Sequence, residues 1–403
     1  MTQDEYYILQ KNYQRRIRET TTDFKRYLFY SIDWRDRLIS IVGARGTGKT
    51  TMILQRVKEA FSDDPDKALY ASLDNLWFET HSLLELVDFH YQNGGTHIFL
   101  DEIHYLADWQ RIIKNIYDDY PGLHIVYTGS ALLKIDHESG DLSRRQITYH
   151  LYGLSFREYL SLEGIMDEQK IELPVLLTDH VKESMRIVEK EKILKHFNDY
   201  LKRGYYPFYR EVYAGYEERM TQMINQILES DYPTTYPINY TTVQKIKKML
   251  YILAQTCPQT PNMSELYREL DTDRNQGLKM LYVLERADLL NLLSSKQASL
   301  KNMARPDKIY CDNTNIMFSL TENVDTGTKR ETFFLNQLKA AGHSVTYPNN
   351  GDFLVDDKYL FEVGGRRKSF DQIKDMPSSY LAIDDEETGR GNKIPLWMFG
   401  MMY

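Results

Sequence analysis

Between residues 34 and 153 the chain alternates short apolar runs with amphipathic stretches. The runs Arg37–Val42, Ala68–Leu73, His97–Leu100 and Leu123–Ser130 are rich in aliphatic and aromatic residues and short enough to be buried strands. Thr51–Val57, Glu85–Tyr91 and Asp108–Tyr120 carry apolar residues at helical spacing, and Pro121-Gly122 closes the last of them. Alternating strand and helix predict a parallel sheet covered on both faces. In such sheets ligands sit at the carboxyl ends of the strands.

The flanking regions have other patterns. In residues 1–33, Tyr6, Ile8, Leu9, Tyr13 and Ile17 recur at roughly helical spacing, which predicts a packing helix. Residues 154–236 are helix-prone and charged, and Pro233 and Pro237 then break the pattern and set a domain boundary. In 237–322, helices at Val243–Gln255, Met263–Leu270 and Arg274–Ala287 precede a short strand at Leu289–Leu293. Ser294–Ile309 has room for a wing and its return strand, so this order predicts a winged helix. In 323–403, a helix at Glu331–Leu338 precedes two strands, Asp352–Val355 and Tyr359–Val363, joined by a tight turn.

The chemistry concentrates at the strand ends. Gly43-Ala44-Arg45-Gly46-Thr47-Gly48-Lys49-Thr50 reads G-x-x-x-x-G-K-T between a strand and a helix, the context a phosphate-binding loop requires. Its glycines let backbone N–H groups turn toward phosphates, Lys49 brings a point charge to the β and γ phosphates, and Thr50 offers a hydroxyl to Mg²⁺. Thr51 continues the loop into the helix, whose N-terminus faces the anion. The run His97-Ile98-Phe99-Leu100 ends in Asp101 and Glu102. Asp101 is placed to complete the Mg²⁺ shell, and Glu102 to act as general base toward water. Leu123–Ser130 offers Thr128 and Ser130 at its end, and Ser130 is the preferred contact to the γ-phosphate or the water.

Taken together, GARGTGKT, IFLDEIH, VYTGSAL and SRRQITYHLYGLSFREYL resemble the AAA+-type ATPases of bacteria and archaea. They are most similar to the subgroup with a P-L-S-F-x-E-Y-L-like segment after the core and a nuclease-like C-terminal domain. Here that segment is Gly153–Leu160, with glycine where the subgroup usually has proline. The resemblance implies an α/β fold: a P-loop NTPase (AAA+) parallel sheet core over 34–153 and a helical lid over 154–236. A winged-helix-like domain would follow over 237–322, and a small, degenerate PD-(D/E)XK nuclease-like α/β domain over 323–403. It implies ATP and Mg²⁺ as cofactors and a homo-oligomer in which Arg145 reaches a γ-phosphate, a task suited to a delocalised guanidinium. Lys202–Pro207 is similar to a Gly-Gly-Phe-Pro lid signature, and Arg203 is a candidate lid arginine sensing nucleotide, the alternative being a helix-end charge.

The C-terminal strands look like a PD-(D/E)-x-K nuclease core, in which two carboxylates bind a metal and a lysine orients the water. Glu331, Asp352 and Glu362 match the acids and form a candidate second metal site. The lysine position is Gly364, with Lys368 the nearest replacement, so the expectation is a nuclease-like fold without cutting activity.

Composition narrows the function further. At 403 residues the chain has room for two to four domains. A net charge of −8 argues against a protein that coats nucleic acid over its whole surface. Residues 241–310 reverse the sign, with eleven Lys and Arg against seven Asp and Glu. Double-stranded DNA is therefore a candidate partner of the winged helix, through Arg274, Asn275 and Lys279 at the start of its third helix. No apolar run is long enough for a membrane span and no signal peptide pattern opens the chain, so the expected location is cytoplasmic. Cys257 and Cys311 stand apart and are expected as small core residues rather than zinc ligands. The leading reading is a Mg²⁺-dependent ATP hydrolase that turns nucleotide binding into a conformational change on a nucleic acid or protein. The rivals are a slow ATP/ADP switch, an ATP-gated nuclease and a binding scaffold with a vestigial site.

Overall fold

The computed structural model describes residues 1–133, 142, 144–212, 214–236, 238–256, 262–295 and 305–403. Cys257 and much of the expected wing, 296–304, lie outside the described residues. The chain divides into two compact units, one made of Met1–Tyr152 with Ser230–Pro237, the other of Gly153–Glu229 with Ile238–Tyr403.

The first unit is built on five parallel strands: β1 (Leu38–Gly43), β2 (Ala68–Ser72), β3 (His97–Asp101), β4 (His124–Ser130) and β5 (Ile147–His150). Their order is β2-β3-β4-β1-β5, and every neighbouring pair is parallel. The strand with the polar end, β4, therefore lies between the glycine-loop strand and the paired-acid strand, as the motif reading requires. β1 and β2 are buried at every position, because helices cover both faces. The edge strand β5 was not evident from periodicity, since Ile147 and Thr148 are exposed and Tyr149 and His150 only half-buried. The N-terminal helix Gln3–Glu19 buries Tyr6, Leu9, Tyr13 and Ile17, whereas Ile8 points to solvent.

The second unit contains the residues expected as a lid together with those expected as two further domains. The helices Phe156–Leu162 and Ile193–Arg203 share one aromatic cluster with the helix Thr326–Ala340, through Phe156, Phe197 and Phe333. Burying that cluster joins them into a single body, and 230–237 fall in the first unit instead. Within this unit the helices Tyr240–Thr256, Met263–Glu269 and Arg274–Arg286 lead into an antiparallel pair, β6 (Leu290–Leu293) and β7 (Lys308–Cys311). A mixed sheet follows, of β8 (Val345–Thr346), β9 (Phe353–Val355), β10 (Tyr359–Gly364), β11 (Ser379–Ile383) and β12 (Lys393–Pro395), in the order β12-β11-β10-β9-β8.

The motif at 153–160 has a local explanation. Ser155 caps its helix by accepting from the Glu158 N–H, and the Glu158 carboxylate accepts from the Ser155 N–H in return. The Ser155 hydroxyl also donates to the main-chain oxygen of Tyr403 at 2.7 Å, and Arg157 Nε donates to the same atom at 2.9 Å. Among the described residues no helix is long and apolar enough to cross a membrane.

Candidate nucleotide-binding site

The site grows from the carboxyl end of β1. Gly43 passes so close to the next segment that a Cβ there would sit 2.3 Å from the Leu151 carbonyl oxygen. Gly48 adopts φ +94°, a left-handed conformation open to glycine, and the helix Lys49–Ala60 starts directly after it. Inside the loop, Thr47 Oγ1 donates to the Ala44 carbonyl at 2.9 Å, and Lys49 Nζ donates to the Gly43 and Ala44 carbonyls, both at 2.9 Å. The Lys49 ammonium thus rests on the carbonyls of its own loop. Burial lowers its pKa, while Glu102 and Asp101 counteract part of that effect. Arg26, buried and far back in sequence, braces the loop by donating to the Thr47 carbonyl, and to the Tyr152 carbonyl at 2.8 Å. Thr51 lies on the exposed side of the helix.

The paired acids lie at the end of β3. Asp101 is buried and accepts from Thr50 Oγ1 at 2.8 Å, from the Tyr70 hydroxyl at 2.8 Å and from Thr128 Oγ1. The Thr50 hydroxyl and the Asp101 carboxylate form a compact set of hard oxygen donors at the helix start, a set that fits Mg²⁺. Glu102 takes a left-handed backbone, φ 55° and ψ 51°, which costs a non-glycine residue on the order of 1 kcal/mol. Thr128 Oγ1 accepts the Glu102 N–H at 3.0 Å and so holds this turn. Burial pushes the Glu102 carboxyl up to about 7, against the pull of Lys49 and with the help of the Asp101 charge. His104 is buried beneath, with Nδ1 3.4 Å from Glu102 Oε2. Burial, followed by the charges of Lys49 and Arg45, lowers its pKa to about 4, so at neutral pH it adds no charge to the site.

Other expected residues stand differently. Ser130 pairs in register with Gly43, but its hydroxyl accepts the Leu132 N–H at 3.3 Å, and it is Thr128 that bonds the Asp101 carboxylate and the Glu102 main-chain N–H. Arg145 binds Asp118 at 3.2 Å, just before β5. By the β1–β5 register it lies at the amino ends of the strands, about 20 Å from Gly43 at ~3.3 Å per residue. It does not reach its own phosphate loop. Arg203 is on the surface of the second unit. Arg45 turns to Asp231, whose two carboxylate oxygens lie 3.1 and 3.2 Å from Arg45 Nη1. Arg26, Tyr70 and Asp231 carried no sequence signal, because each acts across a long stretch of chain and belongs to no spaced motif.

In the second unit, Arg274, Asn275 and Lys279 are all exposed on the third helix of its trio. Glu331, Asp352 and Glu362 are brought near one another, but with two lysines among them. Lys308 Nζ lies 3.3 Å from Glu331 and 3.7 Å from Asp352. Lys368 Nζ lies 3.1 Å from Glu362 and 4.0 Å from Asp352. Among the described residues no group of three His, Cys, Asp or Glu side chains could hold a metal ion. The Lys368 side chain packs over Gly364, where a Cβ would lie 2.8 Å from it.

A parallel sheet with a glycine loop on β1, paired acids on β3 and β4 between them defines a P-loop nucleotide-binding domain. Residues 35–160 match the family model described as an AAA domain. Residues 194–326 match a model described as a domain of unknown function (DUF8612). The chain is 28% identical over 397 residues to the uncharacterized protein MJ1637 of Methanocaldococcus jannaschii, covering 89% of this chain and 83% of that protein. A second protein of that organism, MJ1544, is 22% identical over 353 residues, covering 83% and 73%. Among solved structures, domain III of the replication initiation protein DnaA of Thermotoga maritima is 17% identical. It covers 44% of this chain and 92% of that domain with a TM-score of 0.27.

Proposed function

We propose that the first unit binds ATP and hydrolyses it. The observation that carries this reading is the juxtaposition at the end of β3: Thr50 hydroxyl bonded to Asp101, next to a Glu102 whose carboxyl titrates near neutrality. Lys49 would leave its loop carbonyls for the phosphate oxygens. Thr50 and Asp101 would hold Mg²⁺, which supplies charge neutralisation on the phosphates. Glu102 accepts the proton of the attacking water, and a base with a pKa near the working pH is well matched to that task. Thr128 fixes the Asp101 carboxylate and the Glu102 main chain, and Ser130 ends the same strand. The deciding experiment is Glu102→Gln: calorimetry should still register ATP uptake while turnover drops on the order of 10²–10³-fold. Hydrolysis at the parent rate would remove Glu102 as base.

Features of the second unit support a nucleic-acid-directed output for such an ATPase. The exposed Arg274, Asn275 and Lys279 stand on the third helix of a trio followed by an antiparallel strand pair, an element order that supports a winged-helix reading. Strong stimulation of turnover by duplex DNA would support a DNA-coupled motor, and slow, unstimulated hydrolysis a switch. Arg145, held away from its own loop, has a γ-phosphate to reach only in a second copy; a concentration-dependent specific activity would support that assembly. We assign no cleavage to the C-terminal sheet, because Lys308 and Lys368 neutralise its acids in place. Plasmid nicking in Mg²⁺ or Mn²⁺ that disappears in Asp352→Ala would overturn this.

A further inference from the structure

One short segment ties together the loops that build the nucleotide site. Ser230–Pro237 groups with the first unit although the chain on both sides of it groups with the second. It begins in a wide π-type turn, Ile227–Asp231, and continues as the single helical turn Tyr232–Thr235. Such turns are uncommon and recur at functional positions. Within the first unit the segment reaches three strand ends. Asp231 meets Arg45 of the glycine loop after β1. Tyr105, just past the paired acids of β3, lies near enough to the Asp231 carboxylate for the two to shift each other's pKa. The Tyr236 hydroxyl donates to the Leu132 carbonyl, just past β4, at 3.2 Å.

The electrostatics of this arrangement are unfavourable to Asp231. Its side chain is 2% exposed, while Arg45 is 32% exposed. Burial raises the Asp231 pKa although Arg45 and Lys49 pull it down. Asp101 and Glu102 add two more carboxylates around Lys49 and Arg45. A triphosphate entering this loop brings further negative charge, and its terminal phosphate offers a guanidinium a fork of oxygens as good as a carboxylate. A buried anion whose paired cation is drawn away is strongly disfavoured.

We propose that Arg45 and Asp231 form a latch. Without a terminal phosphate, Arg45 holds Asp231 and the segment 230–236 is fixed to the nucleotide loops. With one, Arg45 turns to the phosphate and the segment is released. The latch rests on the nucleotide-binding reading above. It assigns Asp231 a positioning role, acting through Arg45 and not through the reacting atoms.

The test is hydrogen–deuterium exchange of the full chain, with calorimetry on the same preparations. Backbone amides of 230–236 should exchange at least about tenfold faster with a saturating non-hydrolysable ATP analogue than with Mg-ADP or no nucleotide. Asp231→Asn should exchange rapidly in every state and bind the analogue about fivefold or more tighter, since one competitor for Arg45 is gone. Arg45→Gln should also exchange rapidly in every state and lose the distinction between triphosphate and diphosphate. Equal protection of 230–236 in empty and triphosphate-loaded wild-type protein overturns the latch and leaves nucleotide binding intact. No uptake of either nucleotide by the wild type overturns both, and calorimetry separates the two failures.

Discussion

Glu102 shows how one backbone choice sets the chemistry of a side chain. Its left-handed φ and its bond to Thr128 set a half-buried carboxylate near Lys49, and desolvation raises its pKa to about 7. A base works in its ionised form. kcat/KM for ATP should therefore fall about tenfold per pH unit below about 7 and level off above it, a profile read from steady-state rates. In Glu102→Gln that limb should vanish with the activity. Thr128 has a comparable reach, for its one hydroxyl binds Asp101 and accepts the Glu102 N–H. Thr128→Val leaves the shape and removes both bonds. It should lower kcat more than Ser130→Ala does, and the opposite ranking would restore Ser130 to the leading role. Gly43 is limited by space: a Cβ 2.3 Å from the Leu151 carbonyl has no room without backbone movement. Gly43→Ala should abolish ATP uptake in calorimetry even where circular dichroism shows a folded chain.

Among the elements, strands and helices with clear periodicity were legible, and the edges were not. β1, β3 and β4 lie within a residue or so of the apolar runs, because buried parallel strands must be apolar on both faces. β5 is half-solvated, so its pattern carried no signal. The helix Phe156–Leu162 depends on its cap: Ser155 Oγ accepts from the Glu158 N–H and donates to the Tyr403 oxygen. Ser155→Ala should destabilise the second unit by about 1–3 kcal/mol, since both partners are buried there. Urea denaturation would register this as a lower midpoint with an unchanged slope. A null result would mean that neither bond contributes. The third helix of the trio presents Arg274 and Lys279 outward. If it reads phosphates, replacing both by Ala should weaken duplex binding at all sequences alike and flatten its salt dependence by about two counterions. An unchanged salt slope would argue against this helix as the contact.

At the scale of the whole molecule, the sequence alone determined the nucleotide site in its essentials. The reason is that a phosphate loop and its acids are local motifs: the glycines, Lys49, Thr50, Asp101 and Glu102 are recognisable by spacing and by their place at strand ends. It also placed the exposed basic residues of the third helix. Only the tertiary structure decided what joins across distance. It put 153–229 with the C-terminal sheet through shared aromatic burial, and set Lys308 and Lys368 among the acids of that sheet. It also turned Arg145 to Asp118, and carried Asp231 back to Arg45. Each of these is a pairing of one or two residues separated by long stretches of chain. Such a pairing has no period and no fixed spacing, so it exists only once the backbone has folded and burial has selected which charges must meet.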